Sequence, residues 1–172
     1  MAIDEETVEA LAKILFEAAQ DAAPVVKITD AHPSLTWDDA YAVQDALRAM
    51  KLSSGRRLVG LKMGLTSRAK MEQMGVKDPI CGFLTDDAVV GDGESIDTGD
   101  LIHPKVEAEV AFVTKAVLRG PGCHVGDVLQ ATDFVIPALE VIDSRYENFR
   151  FDLPSVIADN TCLLYTSDAA DD

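Results

Sequence analysis

The chain has 172 residues, 48% of them hydrophobic, and a formal net charge of −15, a length that suits one domain with a sizeable core. So acidic a chain, with no basic patch to offset it, repels phosphate and anionic headgroups, which excludes nucleic acid and anionic membrane surfaces as partners. Its cysteines have no short pair spacing, which argues against a disulfide framework and a zinc site, and no apolar run nears the roughly 20 residues of a membrane span.

The N-terminus, MAIDEETVEAL, is acidic and amphipathic and unlike a signal peptide, so a cytoplasmic location is expected. A first helix is predicted from Asp4 to about Ala22. Asp4 can cap it, Glu5 and Glu6 suit the positive end of its dipole, and Val8, Leu11, Leu15 and Ala18 form one apolar stripe before Pro24. Thr36 caps a second helix whose buried face is Ala40, Val43, Leu47 and Met50, closed by Ser53 to Gly55. Leu58 to Met63 then reads as a strand, Gly64 to Ser67 as a turn, and Ser67 as the cap of a brief helix, RAKMEQMG. From Cys81 onward the pattern is short and β-like, with GDGES and TGD as turns. Val106 to Val117 is a long strand, GPGCHVGD a loop, and Phe134 to Ile142 another strand. The sum is an α+β chain, N-terminal helices followed by a β-rich body that lacks its finishing strands.

The last eleven residues, Cys162 to Asp172, read CLLYTSDAADD. That string resembles the translation of a transposase-based sequencing adapter, so it is read as a non-native scar and set apart from 1–161; a native acidic tail is the alternative reading. Without its three aspartates the charge goes from −15 to −12.

Three features carry chemistry. Glu107 and Glu109, in HPKVEAEVAFV, sit on alternate residues of a strand and so project to one face; a strand with glutamates facing water gives the same pattern. Glu140, inside FVIPALEVID, is a carboxylate in an apolar strand and costs several kcal/mol to bury charged without a partner. Arg145 could be that partner, or the side chain could face outward. A metal resolves both puzzles together, and three carboxylates with water make an all-oxygen site that suits Mg²⁺ or Mn²⁺. Lys62, in GLKMGLTS, interrupts an apolar strand ahead of a glycine-containing turn; an edge lysine is the plainer reading. His32, His103 and His124 share no metal-ligand spacing and read as structural or surface residues, and Cys81 and Cys123 as small buried hydrophobes.

Together, GLKMGLTSRAKMEQMGV, IHPKVEAEVAFVTKA, GPGCHVGDV and IPALEVIDSRYENFRFDLPSVIADNT resemble the hydratase/decarboxylase branch of the fumarylacetoacetate hydrolase superfamily, from about Ala22 to Thr161. The resemblance implies a mixed β-roll of the kind found in that superfamily's C-terminal domains, incomplete here, with 1–161 as the N-terminal part of one such domain. It implies Glu107, Glu109 and Glu140 as ligands of Mg²⁺ or Mn²⁺, and Lys62 as the active-site lysine. Hydratases of the branch carry P-D-F-G, where this chain has Pro79-Ile80-Cys81-Gly82. With Ile80 in place of the aspartate, the proton traffic that hydration needs loses an acid/base, while an apolar wall beside a departing carboxylate favours decarboxylation. Ile80 and Lys62 are thus expected at the substrate. The reaction implied is metal-dependent decarboxylation of 2-oxohex-3-enedioate to 2-hydroxypenta-2,4-dienoate and CO₂, in the meta-cleavage catabolism of aromatic compounds. The alternatives are the sister hydratase of 2-hydroxypenta-2,4-dienoate, or a non-catalytic subunit bound to it. Expected partners are the small 2-oxo diacid, further copies of the chain, and that 2-hydroxypentadienoate hydratase. The 172-residue chain itself is expected to be unstable or inactive.

Overall fold

The fold is described by a computed structural model for residues 2–168. In chain order it contains α1 (Glu5–Gln20), α2 (Ile28–Ala31), α3 (Trp37–Ser53), β1 (Leu58–Gly64), α4 (Arg68–Met74), β2 (Ile80–Thr85), β3 (Val89–Val90), β4 (Lys105–Thr114), α5 (Val125–Ala131), β5 (Thr132–Ile142), α6 (Leu153–Ala158) and β6 (Leu163–Asp168). This is the α+β arrangement expected, helices first and mixed sheet after.

The two long helices start where their caps dictate. Asp4 accepts the Thr7 N–H at 2.9 Å at the head of α1. Thr36 and Asp39 form a reciprocal capping box on α3. Asp39 also accepts the Ile3 N–H at 3.1 Å, tying the chain's start to α3. Leu11 and Leu15 of α1 meet Val43 and Leu47 of α3 in a core completed by Phe83, Tyr146 and Ile157. Tyr146, fully buried, donates its hydroxyl to the Ser155 carbonyl at 2.9 Å, so its polar end is satisfied.

β1 and β2 pair antiparallel as a separate two-stranded sheet, with Lys62 opposite Gly82 and Gly64 opposite Ile80. The second sheet has the order β3-β6-β5-β4. Its β4–β5 pair is antiparallel and sets Glu107 opposite Glu140 and Glu109 opposite Ala138. The reverse face of this pair is apolar and open: Val106 is 65% and Phe112 55% exposed, and Val110, Val135 and Leu139 are exposed beside them.

Four differences from the sequence reading have physical causes. The long strand ends at Thr114 rather than Val117, after a register shift at Val113/Thr114. The GPGCHVGD stretch is not all loop, because His124 and Asp127 form a capping box that starts α5. The helix α6 was not anticipated either, although Asp152 caps it and Pro154 occupies its first turn. Six or seven residues are too few to show a helical period, so only the caps signal them. Last, part of the C-terminal segment set apart as a scar lies within the fold. Its β6 pairs antiparallel with β5 and parallel with β3, while Ala169 to Asp172 lie outside the described residues. Strand pairing uses main-chain groups, so an open edge accepts an extended segment of almost any sequence.

Candidate functional site

The period of two along β4 and its register with β5 bring three carboxylates to one face. One oxygen from each of Glu107, Glu109 and Glu140 lies within 4.8 Å of the others. Glu107 and Glu109 are exposed, whereas Glu140 is only 4% exposed. Lys62 reaches this group from β1. Its side chain is 11% exposed, pairs with Glu140, and lies 3.5 Å from the Thr161 carbonyl. Burial pushes the Glu140 carboxyl above its ordinary range; the Lys62 ammonium opposes this, and the neighbouring charges of Glu109 and Glu107 add to it. A cation among the three oxygens would relieve the burial and the repulsion at once.

The partner of Glu140 is therefore Lys62, from the other sheet, and not Arg145. Arg145 is buried with Asp159, donating to it through Nε, Nη2 and its backbone N–H, and its Nη1 donates to the Asp143 carbonyl at 2.8 Å. Burial raises the Asp159 carboxyl, to about 6, against the pull of Arg145. The Asp143 carboxylate accepts the N–H groups of Ile102 (2.9 Å) and His103 (2.6 Å), the loop that leads into β4. Sequence reasoning singled out Arg145 for a different partner and missed Asp143, Asp159 and Asn160. Their signal was polarity inside apolar runs, in VIDSRY and VIADNT.

Two cavities, of about 510 and 470 Å³, lie beside the Glu147–Phe151 loop and between α1 and α3. Neither is lined by the three glutamates or Lys62; Glu107 and Glu109 stand on an open face, with Glu140 buried beside them.

No protein-family model matches the chain. It is 59% identical over 155 residues to 4-oxalocrotonate decarboxylase of Pseudomonas sp. (strain CF600), covering 90% of this chain and 59% of that one. With the same-named enzyme of Pseudomonas putida it shares 56% over 158 residues, 92% of this chain and 60% of the relative. Among solved structures, 4-oxalocrotonate decarboxylase from Pseudomonas putida G7, complexed with magnesium and adipate, superposes with a TM-score of 0.93 at 52% identity, covering 98% of this chain and 64% of that one. Over about nine-tenths of its length the chain is similar to these 4-oxalocrotonate decarboxylases. It spans about 60% of the length of the curated relatives it matches. Hydratases are more distant, for example 2-keto-4-pentenoate hydratase 2 of Dechloromonas aromatica (strain RCB), 42% identical over 152 residues, 88% of this chain and 58% of the relative.

Ile80 shares a hairpin face with Lys62, by the register of β1 and β2. It is only 2% exposed and packs in the main core. The expected apolar wall is thus covered: Gly64, opposite it, leaves room for the Ile80 side chain to fold inward. Cys123, expected buried, is exposed, and its thiol donates to the Arg119 carbonyl at 3.1 Å. His103 packs edge-tilted on Phe149 at 5.2 Å, a structural contact.

Proposed function

We propose that this chain carries the metal-site portion of a 4-oxalocrotonate decarboxylase, which converts 2-oxohex-3-enedioate to 2-hydroxypenta-2,4-dienoate and CO₂. The observation that carries this reading is the gathering of the Glu107, Glu109 and Glu140 carboxylates beside the Lys62 ammonium. The donors fit a hard divalent cation: they are all oxygen, two are open to solvent, and the buried one already holds a cationic group. Mg²⁺, or Mn²⁺, bound there supplies Lewis acidity toward a 2-oxo acid.

The chain's own residues then have separate tasks. Glu107 and Glu109 bind from the open side, and Glu140 binds from the buried side while holding Lys62 in place. The bond between C5 and C6 of the substrate breaks and CO₂ leaves. Its electron pair passes through the C3–C4 double bond and ends on the 2-oxo oxygen. The Lys62 ammonium sits where that negative charge develops and can stabilise it or give it a proton. No group at position 80 can shuttle a proton, which favours loss of CO₂ over addition of water; the higher identity to the decarboxylases points the same way. In this reading the protein is cytoplasmic, and assembles with its own copies and with 2-hydroxypentadienoate hydratase. No helix among the described residues is long and apolar enough to cross a membrane. The segment Cys162–Asp172 is a translated adapter in the same reading, which the nucleotide sequence across codon 161 tests.

The deciding experiment completes the protein to its relatives' length and compares it with Glu107→Gln. Magnesium-dependent CO₂ release should vanish in the variant, and its metal affinity should fall by more than the roughly 10–100-fold that loss of an outer partner costs. Unchanged CO₂ release in Glu107→Gln, or in excess chelator, overturns the reading. Hydration of 2-hydroxypenta-2,4-dienoate without CO₂ release would instead make the protein the sister hydratase.

A further inference from the structure

The hairpin that carries Lys62 is docked on a three-residue turn. Asn160 accepts the Phe83 N–H at 2.8 Å and donates to the Phe83 carbonyl at 2.9 Å, taking the place of a neighbouring strand. Beside it, Gly82 has no room for a side chain. A Cβ there would lie 2.8 Å from Thr161 Oγ1, 2.9 Å from Asn160 Oδ1 and 3.0 Å from the Asn160 carbonyl. Lys62 sits opposite Gly82 in the hairpin register, and its ammonium lies 3.5 Å from the Thr161 carbonyl. The close approach at Gly82 therefore lets one turn touch both strands of the hairpin.

That turn is itself held in an unfavourable shape. Asn160, Thr161 and Cys162 have φ of 50°, 58° and 61°, in the left-handed region, which non-glycine residues keep only when their surroundings impose it. The surroundings are the buried Arg145–Asp159 pair and the end of β5. The Asp159 carbonyl accepts the Cys162 N–H at 2.9 Å, and the Cys162 carbonyl accepts the Asp143 N–H at 2.8 Å. Asp143 follows Glu140 by three residues, so the turn is fixed to the strand that supplies the buried carboxylate. Hairpin and sheet are thereby registered to each other through 159–162.

We propose that Asn160 and Gly82 form a latch that positions Lys62 against Glu140. The proposal rests on the reading of Lys62 as a site residue, but it concerns how the lysine is held and stands apart from metal binding. Neither latch residue touches the reacting atoms; both act through the hairpin.

The test is site-resolved acylation of lysines in the metal-free 172-residue chain, using acetic anhydride and mass spectrometry. In the unaltered chain Lys62 should react at least tenfold more slowly than exposed Lys13. In Asn160→Ala, and independently in Gly82→Ala, Lys62 should react about tenfold faster, while Lys51 on α3 keeps its rate. A rise shared by Lys51 and Lys62 in both variants would reduce the latch to a general contribution to folding and overturn the proposal. So would an unchanged Lys62 rate in both, or an unprotected Lys62 at the outset. If one variant unfolds, the other decides. Mn²⁺ binding to the unaltered chain is measured separately: its absence counts against the metal reading and leaves the acylation result standing.

Discussion

At the scale of single residues, the energetics turn on charges that cannot be stranded. Lys62→Met leaves Glu140 buried with two like charges and no cation. Removing one partner of a buried pair costs about 3–5 kcal/mol, so the melting temperature should drop by many degrees. The sign of the pH effect follows from the raised Glu140 carboxyl. A raised carboxyl binds its proton more tightly folded than unfolded, so stability falls as pH rises above the ordinary 4.5. Thermal melts across that range should show Lys62→Met losing more with rising pH than the unaltered chain. Saturating Mg²⁺ should restore more stability to the variant than it adds to the unaltered chain, because the metal replaces the missing ammonium. Asp159→Asn makes the complementary case. It removes the buried carboxylate that Arg145 faces, and a denaturation midpoint equal to that of the unaltered chain would contradict the account.

Among the elements, the short helix α6 shows how much one cap can do. Burial alone would raise the Asp152 carboxyl, but hydrogen bonds from Thr29, Lys27 and Ser155 outweigh it and bring it to about 2. A depressed carboxyl contributes stability above its ordinary 3.8 that is lost as pH falls toward about 2. Asp152→Asn should flatten the loss of stability in that acid window, and Asp152→Ala should cost about 1 kcal/mol from the lost cap, both measurable by denaturant titration. The same element shows where sequence patterns stop. The helices α1 and α3 were legible because three or more turns repeat an apolar stripe between caps. The common face of Glu107 and Glu109 was legible because alternation needs only one strand. The pairing of Glu107 with Glu140 was not, because register belongs to two strands at once and a one-residue slip would turn Glu140 to the other face. Lys62 was noticed as an oddity in β1, yet nothing local shows that a residue 78 positions away will meet it. Ile80 was picked out by motif and its burial missed, because motifs carry no depth.

For the molecule as a whole, the open apolar face of β4 and β5 dominates behaviour in solution. Val106, Val110, Phe112, Val135 and Leu139 stand together on it, and β4 is an edge strand. Such an edge recruits other chains. The 172-residue chain should therefore associate with rising concentration, and Phe112→Lys should reduce light scattering without changing Mn²⁺ binding at the opposite face. A monomeric, sharply melting and catalytically competent 172-residue chain would show that the exposed face is harmless and that nothing further is needed for turnover.

The place of β6 in the sheet also has a bearing on biosynthesis. It lies between β3 and β5, although it is made after both. While the chain is emerging from a ribosome, β4 and β5 can zip together early, but β3, which among the described residues pairs with β6, waits until Leu163–Asp168 has cleared the exit tunnel. Nascent chains stalled before that point should keep β3 open to protease, and those stalled well after it should protect it.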